Sequence, residues 1–223
     1  MKFTIRFIKS NIYKLSKKIG KTEVMGFIFF KRLIDILVSC AGIVFSAPLW
    51  LLISVLILIE DGLPVFYCQK RMGKSRKVFK LVKFRSMMKG ADKKGIWTND
   101  NDPRITKIGR ILRRTAMDEL PSLISILKGD MSIVGPKPLA IEEQIKLENE
   151  IPGYEKRLQV RPGLTGMSQV FNLEDDSYKK LEYDLEYIEK MNFWLDIKLI
   201  IFSFYNTLMF RWDKRSGKIK QKV

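Results

Sequence analysis

The sequence contains no histidine among its 223 residues and only two cysteines. Without imidazole, the most frequent general base and a common soft-metal ligand are both missing. Proton transfer or nucleophilic attack must therefore fall to carboxylates, lysine, tyrosine, serine or cysteine. Cys40 and Cys68 follow no metal or redox spacing, so a reducing compartment is the expectation. Internal repeats and low-complexity tracts are also missing, and no cleavable leader is expected. The long apolar run starts only after about thirty residues, and Glu60 and Asp61 follow it where small residues would be needed for cleavage. Acidic residues are scarce, 24 against 41 Lys and Arg, leaving a net charge of +17. A chain this basic seeks polyanions: nucleic acid, anionic lipid or phosphorylated substrates. Hydrophobic residues make up 46%, which excludes wholesale disorder.

What is present begins with residues 33–59, apolar except for Asp35, Ser39, Ser46 and Ser54. The run is long enough to span a bilayer, which needs roughly 20 residues. Both flanks are basic, however, with Lys17, Lys18, Lys21, Lys31 and Arg32 before it and Lys70, Arg71, Lys74, Arg76 and Lys77 after it. A crossing helix calls for asymmetry in that charge. Pro48 removes a backbone hydrogen bond in mid-run and bends a helix. A re-entrant helix at 31–60, kinked at Pro48 and leaving on the face it entered, satisfies both facts better than a simple crossing. Asp35 is costly in lipid unless paired, and Lys31 and Arg32 are the expected partners. Residues 1–30 form a basic arm, read equally well as an interfacial helix or a frayed tail.

Beyond the run, residues 65–67 and 78–84 alternate as a hairpin around the basic turn 71–77. Residues 104–115 place Ile105, Ile108, Ile111 and Leu112 on one helical face, with Lys107, Arg110, Arg113 and Arg114 opposite. This cationic amphipathic helix is expected at the membrane surface, the alternative being a cover for the core. A second apolar helix over 120–127 stops at Gly129. Residues 173–191 read as an acidic helix, and 193–210 as a buried or interfacial one before a basic tail at 211–223.

The chemistry-bearing residues fall in four clusters: Lys83-Phe84-Arg85-Ser86-Met87; Asp102-Pro103-Arg104 through Arg113 to Asp118-Glu119-Leu120-Pro121; Gly135-Pro136-Lys137-Pro138; and Arg161-Pro162-Gly163-Leu164-Thr165-Gly166 with Gln169. Pro121 suits a first helical turn, so a helix is expected to begin near Asp118. Adjacent carboxylates repel unless a cation sits between them. Mg²⁺ accepts one or two carboxylates plus phosphate oxygens, and an ionised aspartate beside it can attack phosphorus. Taken alone, the pair reads more simply as a helix cap. Arg113 is close in sequence and its guanidinium matches phosphate, although an exposed basic face explains it as well.

Taken in order, these motifs resemble those of the bacterial sugar transferases, or monotopic phosphoglycosyl transferases, over residues 31–210. The resemblance implies an α+β, mostly helical fold: a re-entrant membrane helix, interfacial amphipathic helices, and a small cytoplasmic catalytic domain (61–210) with short β-hairpins. It implies a Mg²⁺-dependent ping-pong transfer of a sugar 1-phosphate from a UDP-sugar to undecaprenyl phosphate at the bacterial inner membrane, in polysaccharide or glycoconjugate synthesis. By this likeness Asp118 is the nucleophile, with Glu119 and Asp118 at the metal. Arg85, Arg104, Arg113, Pro136, Lys137, Pro138, Arg161 and Gln169 bind substrate. Membrane lipid is a partner, nucleic acid is not, and a homodimer is left open. Lys137 stands where the family usually has arginine, which keeps the charge and loses the bidentate fork. Ala47 stands where it usually has serine before the kink proline. The rival reading is a non-catalytic, membrane-tethered basic protein that binds lipid or nucleic acid. It accounts for the charge but not for the carboxylate pair among arginines.

Overall fold

A computed structural model describes residues 21–91, 102–172 and 176–209. The basic arm, apart from the start of the first helix, and the basic tail lie outside the described residues. Helix α1 (Lys21–Asp61) starts earlier than the apolar pattern required and runs through Pro48 without a break. It is long and apolar enough to cross a membrane by length and composition. Ser46 Oγ donates to the Gly42 carbonyl at 2.5 Å and Ser54 Oγ to the Trp50 carbonyl at 2.7 Å, so both hydroxyls are satisfied by their own helix. One stripe faces inward: Asp35, Ser39, Ile53 and Ile57 are buried, and Ile43, Leu49 and Trp50 pack beside them. Phe29, Leu37, Val44, Phe45, Leu51 and Ile59 remain exposed on the other side. This is the helical period of a segment with protein on one face and an exposed apolar surface on the other.

Strands β1 (Phe66–Met72) and β2 (Val78–Phe84) form the expected hairpin, antiparallel from Phe66↔Phe84 to Met72↔Val78. Helix α2 (Lys107–Arg114) follows, capped by Thr106, whose side chain accepts from Gly109 N. Helix α3 (Leu123–Lys128) stops at Gly129, whose φ of 87° only glycine adopts easily. Strand β3 (Ser132–Val134) pairs in parallel with β4 (Gly163–Thr165). Helices α4 (Ile141–Glu150), α5 (Met167–Phe171), α6 (Ser177–Lys190) and α7 (Phe193–Leu208) complete the domain. The main core gathers Phe79, Leu81, Ile126, Met131, Tyr187 and Leu199. A second cluster joins Ile53 and Ile57 of α1 to Phe84 and Leu112.

That second cluster shows what the amphipathic helix covers. Leu112 is buried and Ile108 packs beside it, so the apolar stripe of α2 covers the core, and Ile111 alone of the stripe is exposed. Periodicity shows which face of α2 is apolar, not what covers it. The partners of Asp35 correct the sequence reading. Its Oδ1 accepts from Ser132 Oγ at 3.0 Å and Ile133 N at 2.9 Å. Lys31 instead pairs with Asp196 at 2.5 Å, and Arg32 donates to the Ile126 and Leu127 carbonyls at the end of α3. Those carbonyls carry the negative end of the helix dipole, a natural seat for a guanidinium.

At the far end of α1, Glu60 accepts from Lys107 N at 2.6 Å and Ile108 N at 2.9 Å, and Asp61 pairs with Arg85 at 3.1 Å. Both ends of the apolar run in α1 are thus bound to one polar domain. A crossing helix would carry one end to the far side of a hydrocarbon layer ~30 Å thick. The fold is α+β and mostly helical, and its long apolar helix has the connections of a re-entrant element.

Candidate active site

After α2 the chain reverses through Ala116, a non-glycine residue at φ 54°, into a 3₁₀ turn, Met117–Ser122, that holds Asp118, Glu119 and Pro121. The α-helix expected to begin near Asp118 starts only at Leu123. Pro121 has no N–H, and a tight 3₁₀ turn takes up the residues on either side of it. The carboxylates therefore owe their environment to neighbouring cations more than to a helix dipole.

Those cations come from three directions. Lys83, on β2, donates from Nζ to Glu119 Oε1 at 2.5 Å. Lys137, in the loop after β3, brings its Nζ to 3.9 Å of the same oxygen. Arg71, on β1, lies in the cleft with Lys83, Glu119, Ser122, Lys137 and Pro138. Its guanidinium donates to the Pro138 carbonyl at 3.1 Å and to Gln69 Oε1 at 2.6 Å. Burial lowers the pKa of Arg71, partly offset by Glu143 and Glu119. Burial also dominates at Asp118 and pushes its carboxyl up to about 6, with the Glu119 charge adding to the rise and Lys83, Arg113 and Lys137 opposing it. Burial would raise Glu119 too, but Lys83 and Lys137 outweigh it and hold that carboxyl down at about 2. Two adjacent carboxylates with opposite shifts match the pattern of groups given different chemical tasks.

The loop that carries Lys137 is pressed against the one before β4. A Cβ on Gly163 would stand 2.1 Å from Gly135 N, and one on Gly135 2.5 Å from the Arg161 carbonyl. Gly163 N donates to the Pro136 carbonyl and Gly135 N to the Thr165 carbonyl, each at 2.9 Å. The glycines of both motifs therefore serve backbone approach.

Of the residues marked in the sequence, the structure brings Asp118, Glu119, Lys137 and Pro138 together, with Arg113 near enough for Asp118 to feel its charge. Pro136 holds the loop by its carbonyl. The others engage the protein's own framework. Arg85 donates to the Asp61 and Gly62 carbonyls at 2.9 and 2.7 Å, and Arg104 forms a pair with Asp102 at 2.6 Å. Arg161 donates to the Gly129 carbonyl at 2.9 Å, and Gln169 to the Leu164 carbonyl at 3.0 Å. Arg71 was not marked, and Lys83 was marked only as the first residue of its cluster, without a role at the carboxylates. Strand alternation was the available signal, since it puts Leu81 and Lys83 on one face of β2.

The Asp118–Glu119 pair offers hard oxygen donors of the kind Mg²⁺ takes. Among the described residues no group of three or more potential metal-binding side chains is assembled. An ion here would complete its shell with oxygens from outside the protein, as Mg²⁺ does when it bridges to phosphate.

The family profile described as bacterial sugar transferase matches residues 27–210. The chain is 39% identical over 186 residues to the UDP-N-acetylgalactosamine-undecaprenyl-phosphate N-acetylgalactosaminephosphotransferase of Aeromonas hydrophila, covering 81% of this chain and 44% of that protein. It is 39% identical over 183 residues to the UDP-glucose:undecaprenyl-phosphate glucose-1-phosphate transferase of Klebsiella pneumoniae, covering 79% and 39%. It is 33% identical over 187 residues to the exopolysaccharide production protein ExoY of Rhizobium meliloti, covering 76% and 81%. The chain thus spans less than half the length of the first two relatives. With the profile covering most of its length, the chain belongs to the bacterial sugar transferase family.

Proposed function

We propose that the protein transfers a sugar 1-phosphate from a UDP-sugar to undecaprenyl phosphate at the cytoplasmic face of the bacterial inner membrane, with α1 seated in the lipid as a re-entrant anchor. The observation that carries this reading is the Asp118–Glu119 pair set among Lys83, Lys137 and Arg113. Phosphoryl transfer asks for positioning and charge neutralisation more than for proton relays, so the lack of histidine is no obstacle. The family membership and the names of the relatives support the same donor and acceptor.

In this reading Asp118 is the nucleophile. A carboxylate oxygen attacks the β-phosphorus of the UDP-sugar, the bond to the bridging oxygen breaks, and UMP leaves with that electron pair. The sugar phosphate remains on the aspartyl oxygen. A phosphate oxygen of the lipid acceptor then attacks the same phosphorus, and the Asp118 carboxylate departs. Lys83, Lys137 and Arg113 spread positive charge over the phosphate oxygens. Asp118 and Glu119 would hold Mg²⁺, which when bound neutralises charge developing on the diphosphate. The exposed stripe of α1 and the basic flanks support a site where a lipid phosphate and a soluble anionic donor can meet.

The test is UMP release by the purified protein in nanodiscs, with Mg²⁺, undecaprenyl phosphate and a panel of UDP-sugars. Release with one donor, lost in Asp118→Asn and on chelation, is expected. Release that persists in Asp118→Asn would overturn the nucleophile, and no release with any donor would overturn the reading.

A further inference from the structure

The loop Pro136-Lys137-Pro138 contains two residues without an N–H, and its carbonyls are held from outside. The Pro136 carbonyl accepts from Gly163 N at 2.9 Å, and the Pro138 carbonyl from Arg71 at 3.1 Å. The Lys137 carbonyl accepts from Arg157 Nη2 at 2.7 Å. Arg157 sits in the 3₁₀ turn Tyr154–Gln159 and is only 2% exposed.

Arg157 is itself fixed from several elements. Its Nε donates to Asp184 Oδ2 on α6 at 2.9 Å, and Nη2 lies 2.8 Å from the same oxygen. Nη1 donates to Gln144 Oε1 on α4 at 3.1 Å. Ser168 Oγ on α5 donates to Asp184 Oδ1 at 2.8 Å. Gln144, Ser168 and Asp184 are all buried. A buried ion pair is a poor device for stability alone, because well-packed apolar residues do that work as well or better. What apolar residues cannot supply is a fixed donor to a carbonyl. Here that carbonyl belongs to the residue whose ammonium stands 3.9 Å from Glu119.

We propose that Arg157, clamped by Asp184 and Gln144, is a positioning residue that sets where the Lys137 ammonium stands relative to Glu119 and to the donor's diphosphate. Nothing in this role requires Arg157 to touch substrate. The proposal rests on the function proposed above, since it assigns Lys137 to donor phosphate.

The test is a mutant cycle on the full chain in nanodiscs. The double variant Arg157→Met/Asp184→Leu removes both charges together and leaves no buried ion uncompensated. Its kcat/KM for UMP release is expected to fall by about tenfold or more, as displacement of a phosphate-facing group does, while its Tm stays near that of the wild type. In a Lys137→Ala background the same double change is expected to cost no further activity, because residues that act as one unit are non-additive. An additive loss in that background, or an unchanged kcat/KM in the double variant, would overturn the proposal. If the double variant does not fold, Gln144→Met removes one acceptor of Arg157 without stranding a second charge, and the same cycle with Lys137→Ala decides. If the wild-type chain releases no UMP from any donor, the failure belongs to the proposed function. The cycle is then read on UDP affinity, where additivity again overturns the positioning role.

Discussion

The two carboxyls of the site make opposite demands on the fold. Asp118 is raised to about 6 and Glu119 held at about 2. For Asp118 the folded pKa lies above the unfolded one. Below about pH 4 the carboxyl is neutral in both states and costs nothing, and above pH 6 the folded chain carries the full penalty. Asp118→Asn is therefore expected to be inactive yet more stable at pH 7–8, by about 3 kcal/mol, with the gain fading as pH falls toward 4. Glu119 runs the other way: its contribution is present above the usual carboxylate range and is lost as pH falls through about 2. Glu119→Gln is expected to lower stability at neutral pH. Denaturant titrations of both variants at pH 4 and pH 7.5 check the pair of signs, and equal signs at neutral pH would refute this electrostatic account. Lys83→Met should lower kcat by about a hundredfold, since it removes a preorganised charge from the centre of the cleft, and steady-state kinetics read it directly. Asp118 and Glu119 stood out in the sequence through the family resemblance, since taken alone the pair read more simply as a helix cap. Arg71 was not legible, and Lys83 was picked out only as part of its motif, because a cation on a strand looks like any exposed strand cation until its partner loop is placed.

At the scale of elements, hairpin β1–β2 and the stop of α3 at Gly129 were readable from alternation and from glycine. Those signals act over a few residues, and nothing tertiary overrides them here. The 3₁₀ turn at Met117–Ser122 was not readable, since it depends on Ala116 at positive φ, a strained choice no local pattern announces. The fate of α2 was hidden for a different reason: its partners Ile53 and Ile57 lie far back in the chain. The parallel pair β3–β4 depends on the contact of Gly135 with Gly163. Gly163→Ala would put a Cβ 2.1 Å from a backbone nitrogen, which cannot move without breaking the pairing. Its expected cost is roughly 3 kcal/mol or more, together with loss of activity, because the same loop carries Lys137. A thermal melt paired with UMP-release kinetics tests this. Wild-type stability in Gly163→Ala would show that the loops have room to separate.

For the molecule as a whole, the question is which way α1 sits in a membrane, and two native cysteines address it. Cys40 lies on the exposed face of α1 amid Ile36, Leu37 and Val44, and Cys68 lies exposed on β1 of the polar domain. In proteoliposomes, Cys68 should react with a membrane-impermeant maleimide when the domain faces outward, while Cys40 should be protected until detergent is added. That outcome establishes burial of α1 in lipid but not its return. The return is tested by single cysteines at Phe29 and Leu63, exposed residues that flank the apolar run, in a background lacking Cys40 and Cys68. Arg32 and Asp35 tie one end of α1 to the domain, and Glu60 and Asp61 tie the other. Breaking either set to let one end cross would strand buried charge and several hydrogen bonds, each costing about 1–3 kcal/mol. Both introduced cysteines are therefore expected to label from the same side. Labelling from opposite sides would mean that one set of latches opens on insertion, and that α1 crosses the bilayer despite the contacts that bind both of its ends to one domain.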